Sequence, residues 1–482
     1  MKLAAVVIGV AIVASSCSSS QTEAATAPTT TTIEITDEPD TSVASTTTQA
    51  PATTDASTTS TTAVTPTSEV VETTTTTTAA PEAEDVEAVV DGVVTGAQRL
   101  VANDFAQYAG ANVGLIAHQN SVVDGVHLSD WVERSNNVDL VALFGPEHGV
   151  RGTADAGIAV SDAIDPATGA PIFSLYGNTR QPTSSMLESI DVLLYDLQDV
   201  GTRYYTYIST MGLSMQAAAA ADVTFVVLDR PNPLGGQVGG GLLEPSRTSF
   251  VGQYSIPDVY GLTSGELARF IVDNDALPGL SNLDLEIVEL EGWTHDLVWE
   301  DTNLEWIPPS PAITNTDAAT LYPATIYFEA TNLSYGRGTE VPFQVIGAPW
   351  LDAPTIANEL NDRNLPGVRF VAEQIQPALL AGITVEPAYL DQTIDAVRLE
   401  VTDHRLIRPT EVGIHLMEVV FGAATDAGVD PLSRPGWLDQ LSGSTLLRES
   451  LTAGTPAESI IEQQNASLQP IIDALDAARI YD

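Results

Sequence analysis

Short runs rich in β-branched residues constrain this chain more than anything else in it. They are "NVGLIAH" (112 to 118), "VDLVALF" (138 to 144), "DVLLYD" (191 to 196), "VTFVVLD" (223 to 229) and "LDLEIVEL" (283 to 290). All but the last are apolar almost throughout, as expected of strands covered on both faces. Helical candidates lie between several of them, at "VTGAQRLVANDFAQYA", "TYISTMGLSMQAAAAA" and "TSGELARFIVDND". Strands alternating with helices predict an α/β fold around a doubly wound, largely parallel sheet.

Adjacent prolines in "EWIPPSPAI" (305 to 313) break any regular element, and a second, smaller mixed α+β unit is expected beyond them. Its expected strands are "ATIYFEAT", "VRFVAEQI", "ITVEPAYL" and "IDAVRLEVTD", and its expected helices are "DAPTIANELNDR" and "EVGIHLMEVVFGAA". The division places one domain at residues 86–306 and the other at 307–482.

The residues before these are of another kind. "MKLAAVVIGVAIVASSC" (1–17) sets one basic residue, Lys2, before an apolar run from Leu3 to Val13. A bilayer span needs roughly 20 apolar residues, so this shorter run reads as an export signal. Cys17, the only cysteine, follows "ASS" and resembles the lipidated cysteine of bacterial lipoproteins; ordinary export with cleavage nearby is the alternative. Residues 18–85 are Thr, Ala, Ser and Pro with scattered acids and no basic residue. Such a segment cannot bury enough apolar surface to offset chain entropy, so it is expected to be a disordered stalk. The expected location is the outer face of a bacterial membrane, with a lipid as the only membrane contact.

Against 64 Asp and Glu the chain has 18 Lys and Arg, a net charge of −46. That balance repels nucleic acid and anionic lipid and argues against both as partners. Lys2 is the only lysine, so an arginine placed among motif residues points to an acidic ligand.

In open parallel sheets the ligand crevice lies outside the carboxyl ends of the strands. The residues just past each strand here are polar: His118 and Asn120 after the first, Glu147 and His148 after the second, Asp196, Asp199 and Arg203 after the third, Asp229, Arg230 and Asn232 after the fourth. Glu147 in "LFGPEHGVRG" is the strongest acid/base candidate, since a carboxyl at a strand end beside apolar walls suits proton donation. His148 can orient it or bind substrate. Tyr205 and Tyr207 can stack on a sugar face, and Trp293, Trp299 and Trp306 are weaker candidates for the same work. No Gly-x-Gly-x-x-Gly joins a strand to a helix, so no dinucleotide cofactor is expected. The 6 histidines lack chelating spacing, so no metal is expected, and no Gly-x-Ser-x-Gly elbow is present.

Taken in order, "FGPEHGVRG", "SLYG", "YDLQDVGTRYYTYIST", "LDRPNPLGG", "GLTSGELA", "WIPPSP", "TNLSYGRGT" and "PFQVIGAPW" resemble the bacterial exo-β-N-acetylmuramidase family, across about residues 100 to 352 and more weakly beyond. The resemblance implies a Rossmann-like domain and a smaller C-terminal domain with the active site between them. It also implies release of terminal N-acetylmuramic acid from peptidoglycan fragments (muropeptides), with Glu147 as the catalytic acid. A second group is usual in glycoside hydrolysis. Asp196, Asp199, Asp229 and Glu329 all qualify, as does the acetamido group of the substrate. Asn332 and Arg337 join the expected substrate contacts. The lactyl carboxylate of the sugar needs a cation, for which Arg151, Arg203, Arg230 and Arg337 are candidates. The sequence departs from the family pattern at "AHQNS", at Tyr260 and at Ala312. The rival readings are a muropeptide-binding lipoprotein without catalysis and a metal-dependent hydrolase.

Overall fold

The computed structural model describes residues 92–152, 163–380 and 386–482; the expected signal, Cys17 and the stalk lie outside the described residues. The main sheet comprises β1 (Asn112–Ala117), β2 (Asp139–Gly145), β3 (Ala163–Ile164), β4 (Pro171–Ser174), β5 (Val192–Asp196), β6 (Thr224–Leu228) and β7 (Leu285–Val288). Their order is β7-β6-β5-β1-β2-β4-β3, and every neighbouring pair is parallel except β3 with β4. The chain starts in the middle, builds outward through β2, then returns to build on the other side of β1 through β5. This is the doubly wound arrangement that the apolar runs predict, and its switch point lies between β1 and β5.

The runs are apolar throughout because alternate residues enter different cores. Val113, Leu115, Val192, Leu194, Val226 and Leu228 pack with α1 (Gly96–Ala102) and α2 (Leu128–Arg134). Ile116, Leu193, Tyr195, Phe225 and Val227 pack with α3 (Thr206–Ala221) and α4 (Ser264–Asp273) on the opposite face. The helix expected over 94–109 is shorter than its pattern. Thr95 and Gln98 form a capping box at its start. It ends at Ala102, after which Asp104 and Phe105 take positive φ and Phe105 turns into the core.

The second half contains α5 (Thr316–Thr325), β8 (Val345–Ala348), α6 (Ala353–Asp362), β9 (Val368–Ile375), β10 (Ile394–Val401), α7 (Pro409–Ala427), α8 (Pro435–Ser442) and α9 (Ala457–Ala478). Its strands form an antiparallel sheet in the order β8-β10-β9. Two of the expected strands are corrected here. "ATIYFEAT" is the end of α5 followed by a 3-10 turn, Ile326–Ala330, whose apolar side chains are buried; a short apolar run has no period to separate buried turn from buried strand. In "ITVEPAYL", residues 386–390 make turns and 383–385 lie outside the described residues. The remaining strand of this sheet is β8, inside "PFQVIGAPW".

Every described residue belongs to one compact unit, Asp85–Asp482, and one core cluster runs from Phe144 and Tyr195 through to Ile346 and Val397. A buried ion pair of the first half is tied by hydrogen bonds to the second. Arg203, without solvent exposure, pairs with Asp258 and donates through Nη2 to the Leu441 carbonyl at 3.0 Å, on α8. Asp258 also accepts from Tyr327 at 2.5 Å and from the Gly241 amide at 2.7 Å. Breaking such a pair from one side strands a buried charge. Arg203→Met is therefore expected to cost about 3–5 kcal/mol in denaturant unfolding, and Arg203→Met with Asp258→Leu distinctly less than Asp258→Leu and Arg203→Met summed.

Candidate active site

A cavity of about 390 Å³ opens beyond the carboxyl end of the sheet. Residues on both sides of the 305–313 proline segment wall it: Glu147, His148, Tyr176 and Tyr204 to Tyr207 from one side, Glu329, Tyr335, Arg337, Arg434 and Trp437 from the other. Glu147 reaches it because the chain reverses sharply after β2. His148 and Gly149 both have left-handed backbones, φ 73° and 76°, and the Gly149 amide closes the turn on the Pro146 carbonyl at 2.9 Å. A histidine in this conformation costs energy that a loop without a task rarely retains.

The carboxyl is gripped from the start of α3. Thr206 Oγ1 donates to Glu147 Oε2 at 2.9 Å. The Tyr207 hydroxyl lies 3.3 Å from the Glu147 carbonyl and 2.8 Å from that of Pro309. Tyr176 sits beside the same carboxylate; burial first, and then that negative charge, push its hydroxyl up to about 12. The tyrosines form an edge-to-face series, Tyr205 with Tyr207 at 4.8 Å and with Tyr322 at 6.0 Å, which leaves an apolar wall of aromatic faces and edges. Across the cavity, Glu329 accepts from Arg337 Nη2 and from Trp437 Nε1, each at 3.3 Å.

Of the residues expected from the sequence, Glu147, His148, Tyr205, Tyr207, Glu329 and Arg337 line the cavity together. The other strand-end residues lie behind it and hold the framework. Asp196 is bound by Arg230 through both carboxylate oxygens, at 2.6 and 3.0 Å. Asp229 accepts from Thr263, Gly265 and Tyr481 at the start of α4. Asn232 braces the turn at Gly201, where φ is 74° and a Cβ would fall 2.2 Å from Asn232 Oδ1. Arg151 is divided between Asp130 and Asp165, each at 2.8 Å. Asn332 donates to the Asp430 carbonyl at 3.0 Å. His118 is fully buried, its imidazole pushed down by desolvation and by Arg230.

Asn120 has a different use from the expected sugar contact. Its Nδ2 donates to the Ile307 carbonyl at 2.9 Å, and Gln119 Nε2 donates to that of Pro308 at 2.9 Å. With Tyr207 on Pro309, three side chains hold three consecutive carbonyls of the proline segment, which carries Ser310 and Ala312 into the wall. Trp299 and Trp306 pack on each other at 4.8 Å and do not line the cavity; Trp437 does. Tyr176 and Tyr335 stood inside the quoted motifs "SLYG" and "TNLSYGRGT", whereas Arg434 and Trp437, in "SRPGW", carried no signal in pattern or motif. Among the described residues, no group of three or more His, Cys, Asp and Glu is placed to hold a metal ion, and no helix is long and apolar enough to cross a membrane.

Family models described as the N-terminal and C-terminal parts of exo-beta-N-acetylmuramidase NamZ match residues 113–317 and 320–481. The peptidoglycan beta-N-acetylmuramidase NamZ of Bacillus subtilis (strain 168) is 38% identical over 379 residues, 78% of this chain and 88% of that one. Two solved DUF1343 family proteins of Bacteroides fragilis NCTC 9343 align with TM-scores of 0.75 and 0.65 at 35% and 29% identity. Each covers 81% of this chain, by 100% and 99% of its own.

Asp199 lies just behind Tyr205 and outside the lining. Burial pushes its carboxyl up to about 7, against the pull of the Tyr260 hydroxyl and the Gly201 amide. Because the folded protein holds this proton at a pH where the unfolded chain has released it, the contribution to stability is full below about pH 4 and is lost as pH rises to about 7. Asp199→Asn should remove that slope: the stability difference between variant and wild type, followed by denaturant unfolding from pH 4 to 8, should move in the variant's favour up to about pH 7 and then level.

Proposed function

This chain belongs to the exo-beta-N-acetylmuramidase NamZ family, and on that premise we propose that it is a glycoside hydrolase releasing N-acetylmuramic acid from the non-reducing ends of peptidoglycan fragments. One observation carries the reading to this molecule: Glu147 is turned by a left-handed His-Gly pair into a cavity walled by tyrosines. A sugar ring offers apolar faces to such a wall, and the scissile oxygen needs a proton as the bond breaks.

In this reading Glu147 delivers the proton to the leaving oxygen, with Thr206 and Tyr176 fixing the orientation of its carboxyl. His148, on the same turn, contacts the sugar or its neighbour. Asp196 and Asp229 are committed to Arg230 and to α4, and Asp199 lies outside the lining on Tyr260 and Gly201, so the second role falls to Glu329 or to the substrate's own acetamido oxygen. Export and lipid attachment at Cys17 complete the proposal, supported by the apolar run before that cysteine and by the basic-free stalk after it.

Turnover of a chromogenic N-acetylmuramide, with and without chelator, tests the reading. Wild type is expected to cleave it in either condition, and Glu147→Gln to lose about 100-fold or more in kcat while unfolding like wild type. Binding of muropeptides without cleavage, or chelator-sensitive cleavage, would overturn it. Glu329→Gln assigns the second role: near-complete loss of turnover marks the protein carboxylate, and retention of most of it marks the acetamido group. Separately, wild type but not Cys17→Ala is expected to take up a metabolic lipid label and to partition into detergent.

A further inference from the structure

The cavity carries two guanidinium groups that the acid/base reading does not use. Among the described residues, four charged side chains line the cavity apart from the imidazole of His148: Glu147, Glu329, Arg337 and Arg434. Thr206 holds the Glu147 carboxyl, and Glu329 meets both guanidinium groups, Arg337 through its carboxylate and Arg434 through its main-chain carbonyl.

Neither arginine is fully engaged. Arg337 meets Glu329 through one contact of 3.3 Å, longer than the 2.7–2.9 Å of a close charge-assisted bond, and its Nε is buried without a partner. It lies over the rings of Tyr335 and Phe343, 5.6 Å from each centroid. Arg434, immediately before α8, donates through Nε at 3.1 Å and through Nη2 to the main-chain carbonyl of Glu329, not to its carboxylate, and lies 5.7 Å over Trp437. Among the described residues it makes no ion pair, in a chain with 64 acids to 18 bases. Arg151, Arg203 and Arg230, by contrast, are each paired to aspartates outside the cavity.

We propose that Arg434 and Arg337 together form an anion subsite that holds a carboxylate of the bound sugar and so selects it over the uncharged hexosamine. The proposal rests on the glycosidase reading and adds the residues that choose the substrate. Stacking fixes the plane of each guanidinium before the ligand arrives, which lowers the entropy lost on binding. Glu329 joins them, its carboxylate on Arg337 and its main-chain carbonyl on Arg434.

Two measurements test this. The first is the ratio of kcat/KM for a chromogenic N-acetylmuramide to that for the matching N-acetylglucosaminide. In wild type the muramide is expected to win, and Arg434→Met and Arg337→Met are each expected to lower the ratio about thirtyfold, with Arg434→Lys recovering part of it. The second is equilibrium binding of free N-acetylmuramic acid and free N-acetylglucosamine, which reads the subsite even if no turnover is found. Preferential binding of the acid, weakened in both methionine variants while their thermal unfolding stays like wild type, supports the subsite. Turnover of the muramide by wild type with a ratio unchanged in both variants would overturn the subsite and leave the glycosidase reading standing. Absence of turnover with arginine-dependent binding of the acid would do the reverse.

Discussion

Three consecutive carbonyls, those of Ile307, Pro308 and Pro309, must find donors outside their own segment, because prolines supply no N–H and hold the backbone out of helix or sheet. Asn120, Gln119 and Tyr207 supply them. Two of these donors come from the end of β1 and one from the start of α3, on either side of the switch point of the sheet. The rest of the site depends on this grip. It fixes where the chain leaves the first half, and it sets Ser310 and Ala312 into the cavity wall. Tyr207 also touches the Glu147 carbonyl, so the same side chain aligns the acid-bearing turn with the opposite wall. Each hydrogen bond is worth about 1 kcal/mol net, but an unpaired buried carbonyl costs more, which makes the set hard to lose one member at a time.

Behind the cavity the sheet edge keeps its charges by pairing them with each other. Arg230 holds Asp196 and Arg203 holds Asp258, in both cases with the carboxylate fully buried. Asp229 has no arginine and instead accepts hydrogen bonds at the head of α4 and from Tyr481. Burial still raises it to about 6. A rim rich in ionisable groups thus serves as a framework, and only the groups pushed forward by sharp turns reach the ligand space. The left-handed pair at His148 and Gly149 is the clearest of those turns.

That distinction explains which site residues were legible in advance. Strand-end position placed Glu147, His148, Asp196, Asp199, Asp229 and Arg230 at one edge of the sheet, but it could not separate cavity from scaffold. Asp196 and Glu147 both follow apolar strands, and they differ only in what lies opposite them. Arg434 and Trp437 show the converse failure. They sit in a short "SRPGW" segment far along the chain, with no period and no strand before them, and they meet Glu329 only because α8 packs against the Ile326–Ala330 turn.

The amino-acid pattern by itself determined the doubly wound sheet. Continuous apolar runs separated by helical periods have few ways to bury both faces, and backbone hydrogen bonding turns that demand into a parallel sheet with its polar ends on one rim. The C-terminal strands β9 and β10 were legible from their local composition. The tertiary structure alone decided which charges cancel. An ion pair depends on distance in space, and residues such as Arg203 and Asp258, or Arg247 and Asp439, are brought together by packing that no local period encodes. Which of the cavity's charges are already paired is therefore a property of the fold and not of the order of residues along the chain.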